Sequence, residues 1–289
     1  MKNKRWKIIL GLFAVLLAGF QAAVLAAGRL FDVHLVYEWI FYANNYILVV
    51  LLLLLAVPKN VYALWTIRAA ALMLLVSNTT FYYYMGNINV VVSKPEDGDH
   101  TLILKEYENS RYETVRLKPL AFLFGRETAV LKGSSEYKAI QEGEYNVEWV
   151  SGDSAIITYK TEEESLLEQD VFNFRDSDYV SYQYALVALT GKWYEKDNPD
   201  SYFMVDQGEI LYAKDGELHY YSEDEAEQQG IFSLVFKGAD EKPSFTIILN
   251  SDAEYGEDGL IKKGGTITIS PADLNETEGK VYLKEENQE

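Results

Sequence analysis

The chain offers few side chains suited to acid–base or metal chemistry. It has 289 residues, with three histidines and no cysteine. His34, His100 and His219 lie far apart, and none has a second histidine at the His-x-His or His-x-x-x-His spacing of zinc sites. We therefore expect an ordinary structural role for each histidine and no metal site.

The motifs of nucleophilic catalysis and phosphate binding are also missing. A serine nucleophile on a sharp turn calls for Gly-x-Ser-x-Gly, whereas Gly133, Ser134 and Ser135 form a polar turn. Residues 259–266 only loosely resemble a phosphate-binding loop, because they lie between predicted β segments with no helix after them. The sequence therefore predicts a protein that is not an enzyme, with no catalytic residue and no cofactor.

Two acidic loops contain oxygen ligands of the kind that calcium prefers. They are residues 195–200 and residues 252–259. Neither follows the twelve-residue alternation of an EF-hand, and Asn, Asp and Gly are ordinary turn residues. Hairpin loops are the favoured interpretation, and calcium binding remains the alternative.

Charge divides the chain into two dissimilar parts. Residues 1–86 carry seven basic and two acidic residues, a net charge of +5, which leaves 19 basic and 42 acidic residues, a net −23, from residue 87 onward. Because this region is so acidic, it repels phosphate backbones, and nucleic acid is not an expected partner. Without disulfides, this region depends on its own hydrophobic core.

Three long apolar runs precede residue 87. Residues 8–28 and 39–58 are free of charged side chains, and about 20 apolar residues in a helix cross a hydrocarbon core of roughly 30 Å. The third run, residues 61–85, contains Arg68, whose long side chain can reach the membrane surface. These runs predict a three-helix transmembrane anchor over residues 1–86 and a lipid bilayer as partner.

The positions of Lys and Arg predict how the anchor is oriented. The four basic residues before residue 8, together with Lys59 and Arg68, place the N-terminus in the cytoplasm. Three crossings then make the C-terminal region extracytoplasmic, in a multi-pass protein of the cell membrane. In the alternative, residues 2–26 are a cleaved signal peptide, which leaves two crossings and the same external location.

Amide side chains lie at similar depth in the second and third apolar runs. Asn44 and Asn45 belong to the second run and Asn78 to the third. Since unpaired polar groups are costly in hydrocarbon, we predict a hydrogen bond between these two helices. The alternative is that the amides face a partner subunit or water near the headgroups.

Beyond residue 87, short apolar alternations separated by turn residues predict an all-β extracytoplasmic region. Residues 87–160 form a predicted β module, in which residues 145–150 and 155–159 make a hairpin and Trp149 faces a core. This module resembles extracytoplasmic β modules of small membrane-anchored proteins from Gram-positive bacteria, through residues 93–98, residues 122–125 and the pair Glu148-Trp149.

Residues 161–190 are predicted to connect this module to a second β domain. Residues 178–189 fit a helix that Ser177 would cap, and the alternation of Val180, Tyr182, Tyr184 and Leu186 fits a strand as the alternative. From residue 191 to residue 289, eight evenly spaced strands predict a barrel or sandwich. Asp215-Gly216 is a strong two-residue hairpin signal within it.

Gly191-Lys192-Trp193 at the start of this domain resembles the Gly-x-Trp of lipocalin-like folds, and the resemblance covers residues 177–285. It implies that Trp193 closes one end of the barrel and that the barrel mouth binds a small apolar ligand.

Two functions fit this organisation. The first is a multi-pass membrane protein that displays an acidic β domain for binding to an envelope protein, a peptide or a small apolar ligand. The second is an accessory or sensory subunit of a larger membrane complex. An open apolar cavity in the barrel would favour binding of a small ligand, whereas a barrel filled by side chains would favour the other functions.

Overall fold

The computed structural model describes residues 2–56, 58–109, 111, 113–132, 137–161, 167–175, 184–238, 242–275 and 278–285. The chain divides into two compact units. The anchor unit contains Met1–Val92 and Leu102–Gln141, and the barrel unit contains Ser93–Thr101 and Glu142–Glu289. The segment 87–160, predicted to be one β module, is thus divided between the two.

Three helices begin the anchor unit: α1, Lys2–Phe31; α2, Trp39–Leu55; and α3, Val61–Phe81, which continues into a π-helical turn, Tyr82–Gly86. Two segments are long and apolar enough to cross a membrane, Arg5–Phe31 and Val61–Gly86. α2 is apolar but has only 17 residues. The prediction of three spanning helices is therefore supported for two of them.

The rest of the anchor unit is a five-stranded sheet in the order β1-β5-β4-β3-β2. Its strands are β1, Val33–Leu35; β2, Ile88–Ser93; β3, Leu102–Tyr107; β4, Thr114–Ala121; and β5, Phe124–Val130. A short helix, α4, Ala139–Glu142, follows, and the buried carboxylate of Glu106 accepts hydrogen bonds from its backbone amides.

β1 is the unexpected strand of this sheet, because the segment that carries His34 was predicted to be a loop between two helices. Asp32, with φ of 52°, turns the chain out of α1 and into β1, which then pairs antiparallel with β5. Residues 120–124 end β4, form the turn and begin β5.

The barrel unit opens with a three-stranded antiparallel sheet: β6, Tyr145–Val150; β7, Ser154–Lys160; and β8, Leu167–Asn173. The predicted hairpin across residues 151–153 is present. β8 occupies part of the segment predicted to be an irregular connection. Of the predicted helix at 178–189, only residues 184–189 are described, including α5, Ala185–Ala188; Ser177 lies outside the described residues.

Nine antiparallel strands follow, one more than predicted: β9, Gly191–Glu195; β10, Asn198–Asp206; β11, Glu209–Lys214; β12, Glu217–Tyr221; β13, Ala226–Gln228; β14, Ser233–Phe236; β15, Phe245–Leu249; β16, Thr266–Pro271; and β17, Lys280–Lys284. Each pairs with the next except β12 with β13, and β17 returns to pair with β9. The result is a nearly closed, up-and-down barrel. The additional strand, β13, begins within the acidic stretch predicted to be a loop.

Candidate functional site

Amide side chains link the three helices of the anchor unit. Asn45 Nδ2 in α2 donates to Asn78 Oδ1 in α3 at 2.9 Å, and Asn78 Nδ2 donates to the carbonyl oxygen of Tyr42 at 3.2 Å. Gln21 Nε2 in α1 donates to Asn45 Oδ1 and to the carbonyl oxygen of Phe41. The hydrogen bond expected between α2 and α3 is therefore present. Sequence analysis missed Gln21, whose only signal is its position as an amide within an uncharged run.

Further polar contacts lie beside this amide bridge. Asn44 Nδ2 donates to the carbonyl oxygen of Leu17 at 3.1 Å, which ties α2 to α1. The hydroxyl of Thr79 donates to the carbonyl of Leu75, so the 2.7 Å contact with Tyr46 uses the tyrosine as donor. These contacts join the helices. Each of the polar side chains Asn44, Tyr46 and Thr79 has a hydrogen-bond partner within the protein.

A buried lysine connects the helices to the sheet within the anchor unit. Lys105 in β3 is fully buried, and its Nζ donates to the carbonyl of Leu35 at 2.9 Å and to Glu38 Oε1 at 2.9 Å. Burial lowers the pKa of Lys105, and Glu38 opposes that shift. Since Glu38 precedes the first residue of α2, its negative charge also suits the positive end of that helix.

A shallow charged cleft of about 420 Å³ lies near this lysine. Arg111 donates to both oxygens of Glu127, at 2.7 and 2.6 Å, and lies 2.5 Å from Glu113. The bidentate bond holds the pKa of Glu127 below its usual value, so this carboxylate stays ionised at neutral pH. His34 Nε2 is 3.9 Å from Glu127, and burial followed by the charge of Lys105 lowers the pKa of His34.

The chemistry available in this cleft is limited. An ionised carboxylate held by an arginine is a poor proton donor. The imidazole of His34 is a base, but no nucleophile with an adjacent base is formed by the residues named here. In the part of the chain that the structure describes, no three His, Asp or Glu side chains are grouped to hold a metal ion.

Trp193 lies in the core of the barrel, as the Gly-x-Trp pattern suggested. Its side chain is fully buried, and its Nε1 donates to the carbonyl of Leu189 at 2.8 Å. Lys284 Nζ, from the last strand, lies 5.5 Å from the centre of the indole ring. The backbone at Gly191 has φ of 114°, which disfavours any other residue at that position.

Aromatic side chains fill the interior of this barrel. The rings of Phe236 and Phe245 stack at 4.8 Å, and Tyr212 lies 4.5 Å from Phe245. Burial raises the pKa of Tyr212 and Tyr282, so both phenols remain protonated. The buried side chains of this core come from eight strands and α5: Ala185, Trp193, Phe203, Tyr212, Tyr221, Leu234, Phe236, Phe245, Ile247, Ile267 and Tyr282.

The outer wall of the barrel differs from one side to the other. On the side formed by β14 to β16, the three-stranded sheet covers it: Ile248 is fully buried against Val150 and Ile156. Gln169 in β8 completes this contact, because its amide donates to the carbonyl of Pro271 and accepts a hydrogen bond from Thr246.

The other side of the wall carries a row of apolar and tyrosine side chains, which are partly exposed except for the buried Ala213. Residues directly opposite one another run across five strands, and we call them the tyrosine row: Leu218, Ala213, Tyr202, Tyr194 and Leu283. Lys192 Nζ lies 3.8 Å from the centre of the Tyr202 ring and 4.5 Å from that of Tyr194. Leu218 and Leu283 are 52% and 41% exposed.

Trp149 lies on the same face of the three-stranded sheet as the fully buried Ala155 and Ile157. It is half-buried, stacks on Phe174 at 5.3 Å, and donates from Nε1 to Ser93 Oγ at 2.8 Å. Phe174 stacks in turn on His100 at 5.0 Å. Trp149 is thus held at the edge of the three-stranded sheet, and His100 has a packing partner.

Side chains of the two acidic loops bond to protein groups within the loops and in neighbouring turns and strands. Asp252 accepts hydrogen bonds from the backbone amide and hydroxyl of Thr266, and Asp258 accepts one from the amide of Leu260. In the other loop, Asn198 donates to Asp215 Oδ1 and Ser201 Oγ. These contacts are those of ordinary turn residues.

Comparison with known protein families, with curated proteins and with solved structures finds no match to this chain.

Proposed function

We propose that the chain crosses the cell membrane three times, with a cytoplasmic N-terminus and extracytoplasmic β domains. α2 spans roughly 26 Å at 1.5 Å per residue, and its 17 residues match the lower limit for a crossing. The amide bridge supports α2 as a membrane helix, because it pairs the side chains of Asn44 and Asn45 with neighbouring helices. Lys59, exposed between α2 and α3, faces the cytoplasm in this topology.

Single cysteines test the topology directly, because the chain has none of its own. Glu217→Cys, on the exposed start of β12, should react with a membrane-impermeant maleimide in whole cells. Lys59→Cys is the matched control and should react only after lysis. Reversal of the two patterns would overturn the orientation, and labelling of both in whole cells would overturn three crossings.

The proposed role of the barrel is recognition of another envelope protein through the tyrosine row. The observation that carries this proposal is the contrast between the two sides of the outer wall. One side is covered by the protein's own sheet, whereas the other exposes two leucines beside two half-buried tyrosines. Tyrosine is enriched at protein interfaces, since it combines a large apolar surface with a polar hydroxyl.

The filled interior argues against the other expectation, a small apolar ligand in the barrel mouth. A binding pocket needs a cavity, and here Phe203, Phe236 and Phe245 meet one another inside the barrel. Surface recognition leaves the core intact and requires no catalytic group. The second candidate, an accessory subunit of a membrane complex, is favoured by the bond from Lys105 to Glu38, which couples the helices to the sheet of the same unit.

Site-specific photocrosslinking in native membranes tests the role of the tyrosine row. A photoreactive phenylalanine at Tyr202 should give one discrete crosslinked protein, and Tyr194→Ser in the same chain should weaken that crosslink. The control is the same crosslinker at Asp224, which is also exposed but lies outside the row. Equal crosslinking from both positions would contradict recognition by the row. The experiment uses the full chain, because a fragment that starts at residue 87 would lack strand β1 of the anchor unit.

A further inference from the structure

The turn between β4 and β5 exposes apolar side chains to an unusual degree. Phe122 is 95% exposed, more than any other large apolar side chain of the described residues, and Leu120 is 50% exposed. Ala121 and Pro119 are exposed as well. A phenylalanine presented on a hairpin turn contributes nothing to the core of the protein. A cluster of exposed apolar residues indicates an interaction surface.

The position of this turn relates it to the helices of the same unit. The ring of Phe124, at the base of the turn, lies 6.5 Å from the ring of Phe20 in α1. Phe20 is eleven residues before the end of α1 at Phe31, a distance of roughly 16 Å along the helix. The turn therefore lies beside a membrane-crossing segment rather than beyond its end.

Contacts near the start of α2 place the β4–β5 turn at the same depth, independently of the contact with Phe20. Gln21, the residue after Phe20, donates to the carbonyl oxygen of Phe41, in the first turn of α2. The amide of Val36, just before that helix, donates to the carbonyl of Leu123 in the turn at 2.9 Å. The turn thus lies level with the outer end of α2, where the membrane surface falls if α2 crosses the bilayer.

Two cations lie next to the apolar turn. Lys118 in β4 is directly opposite Arg126 in β5, and both side chains are exposed. Neither forms an ion pair with any of the residues described. Like charges directly opposite one another destabilise a strand pair, and the extracytoplasmic part of this chain is strongly acidic. Anionic phosphates next to the turn would remove this repulsion.

We propose that the β4–β5 turn inserts into the outer leaflet of the membrane, with Leu120 and Phe122 at the acyl boundary and Lys118 and Arg126 at the phospholipid phosphates. The inference rests on the proposed crossing of the membrane by α1 to α3. It identifies the lipid surface as a partner of the β sheet as well as of the helices. The sheet is then held at the membrane by two kinds of contact.

Depth-dependent quenching tests the insertion in the full-length protein. Phe122→Cys is labelled with an environment-sensitive fluorophore, and the protein is reconstituted into vesicles of equal parts phosphatidylcholine and phosphatidylglycerol. A lipid with a nitroxide high on its acyl chain should quench the fluorophore. Phe122 is almost fully exposed, so its replacement removes no packing. Ala129→Cys is the control: it is exposed in β5, two residues past Glu127, whose amide donates to the carbonyl of Asp32 just beyond the end of α1, and its fluorophore should not be quenched.

Extraction of the same vesicles with alkaline carbonate distinguishes failure of the membrane-crossing proposal from failure of the proposed insertion of the β4–β5 turn. Loss of the protein from the vesicles would overturn the membrane-crossing proposal. Retention without quenching at residue 122 would overturn the insertion alone and would assign the turn to a protein partner. Quenching at residue 122 and not at residue 129 supports the insertion.

A separate experiment tests the role of Lys118 and Arg126. Lys118→Gln combined with Arg126→Gln should reduce quenching at residue 122 in the anionic vesicles. In vesicles of phosphatidylcholine alone, where choline balances the charge of each phosphate, the double substitution should have a smaller effect. An equal loss of quenching in both lipids would overturn a preference of Lys118 and Arg126 for anionic headgroups, and no loss in either would overturn their assignment to phospholipid phosphates.

Discussion

Lys105 Nζ lies 2.9 Å from Glu38 Oε1, so a fully buried lysine in the centre of a β strand is neutralised by the residue that precedes α2. Sixty-seven positions separate the two residues in sequence. The bond fixes the start of α2 against β3, and the carbonyl of Leu35 in β1 completes it. A change in the tilt of α2 therefore has to break or move this ion pair.

We expect Glu38→Gln to lower the free energy of unfolding by about 3 kcal/mol, because removing one partner leaves a buried charge uncompensated. Lys105→Met in the same chain should restore much of that loss, since no charge is then left without a partner. Denaturant unfolding in mild detergent measures both. The control is Glu96→Gln, an exposed glutamate. Equal effects of Glu38→Gln and Glu96→Gln would contradict the role assigned to the ion pair.

The sequence pattern was informative where a physical signal is local. Apolar length located all three helices, and the Asp215-Gly216 turn and the alternation around it located β11 and β12. It failed for β1, because three residues are too few to show alternation. β1 is a strand because it pairs with β5, which lies about ninety residues later in the chain. The burial of Lys105 was also missed, because a lysine within a strand normally faces solvent and its partner Glu38 lies 67 positions earlier in the chain.

His34 should make stability depend on pH. Burial and the charge of Lys105 lower the pKa of His34 below 6.5, so protonation is harder in the folded than in the unfolded state. The unfolded state therefore binds more protons, and stability should rise as pH increases from the folded pKa through 6.5. We expect the free energy of unfolding to increase between about pH 5 and pH 7.

His34→Gln should reduce this increase, because the glutamine does not titrate. The ionisation of Glu127 changes stability at lower pH, since Arg111 holds the pKa of that carboxyl below 4.5. Unfolding curves of both proteins, measured in detergent across the pH range, test the expectation. The same pH dependence with and without His34 would show that the imidazole is not responsible.

The two tryptophans singled out from the sequence should differ in their contribution to stability. Trp193 is fully buried in the barrel, so Trp193→Ala should cost roughly 3 to 5 kcal/mol, as large core truncations do. Trp149 is half-buried, so Trp149→Ala should cost less, through loss of its stacking on Phe174 and of one hydrogen bond. Thermal unfolding of the two variants provides the comparison. An unchanged melting temperature for Trp193→Ala would mean that the Gly-x-Trp pattern is accidental.

The difference between these tryptophans shows where sequence reasoning about the barrel stopped. A Gly-x-Trp at the start of a run of strands places Trp193 correctly, because the glycine and the strand alternation are local features. Alternation also placed Trp149 on a core face. Ala155 and Ile157 of the central strand share that face and are fully buried, whereas Trp149 lies on the edge strand β6 and is half-buried, which alternation alone does not show.

The amide bridge provides the last expectation. Asn78 accepts a hydrogen bond from Asn45 and donates one to the carbonyl of Tyr42. Hydrogen bonds between membrane helices contribute about 0.6 kcal/mol on average, because the separated helices find other partners. Asn78→Leu should therefore weaken the packing of α3 on α2 by about that amount and should not prevent insertion. Ser77→Leu, at the neighbouring exposed position, is the control and should have no such effect.

A double-mutant cycle separates the hydrogen bond from other effects of the substitution. Asn45→Leu should cost more than Asn78→Leu, since Asn45 also accepts a hydrogen bond from Gln21 of α1. The combined substitution should cost less than the sum of the two, and the difference is the energy of the bond between Asn45 and Asn78. Titration of the folded protein with a denaturing detergent measures each value. Strict additivity would show that these amides act independently, and a partner subunit would then be the better explanation for polar residues at this depth.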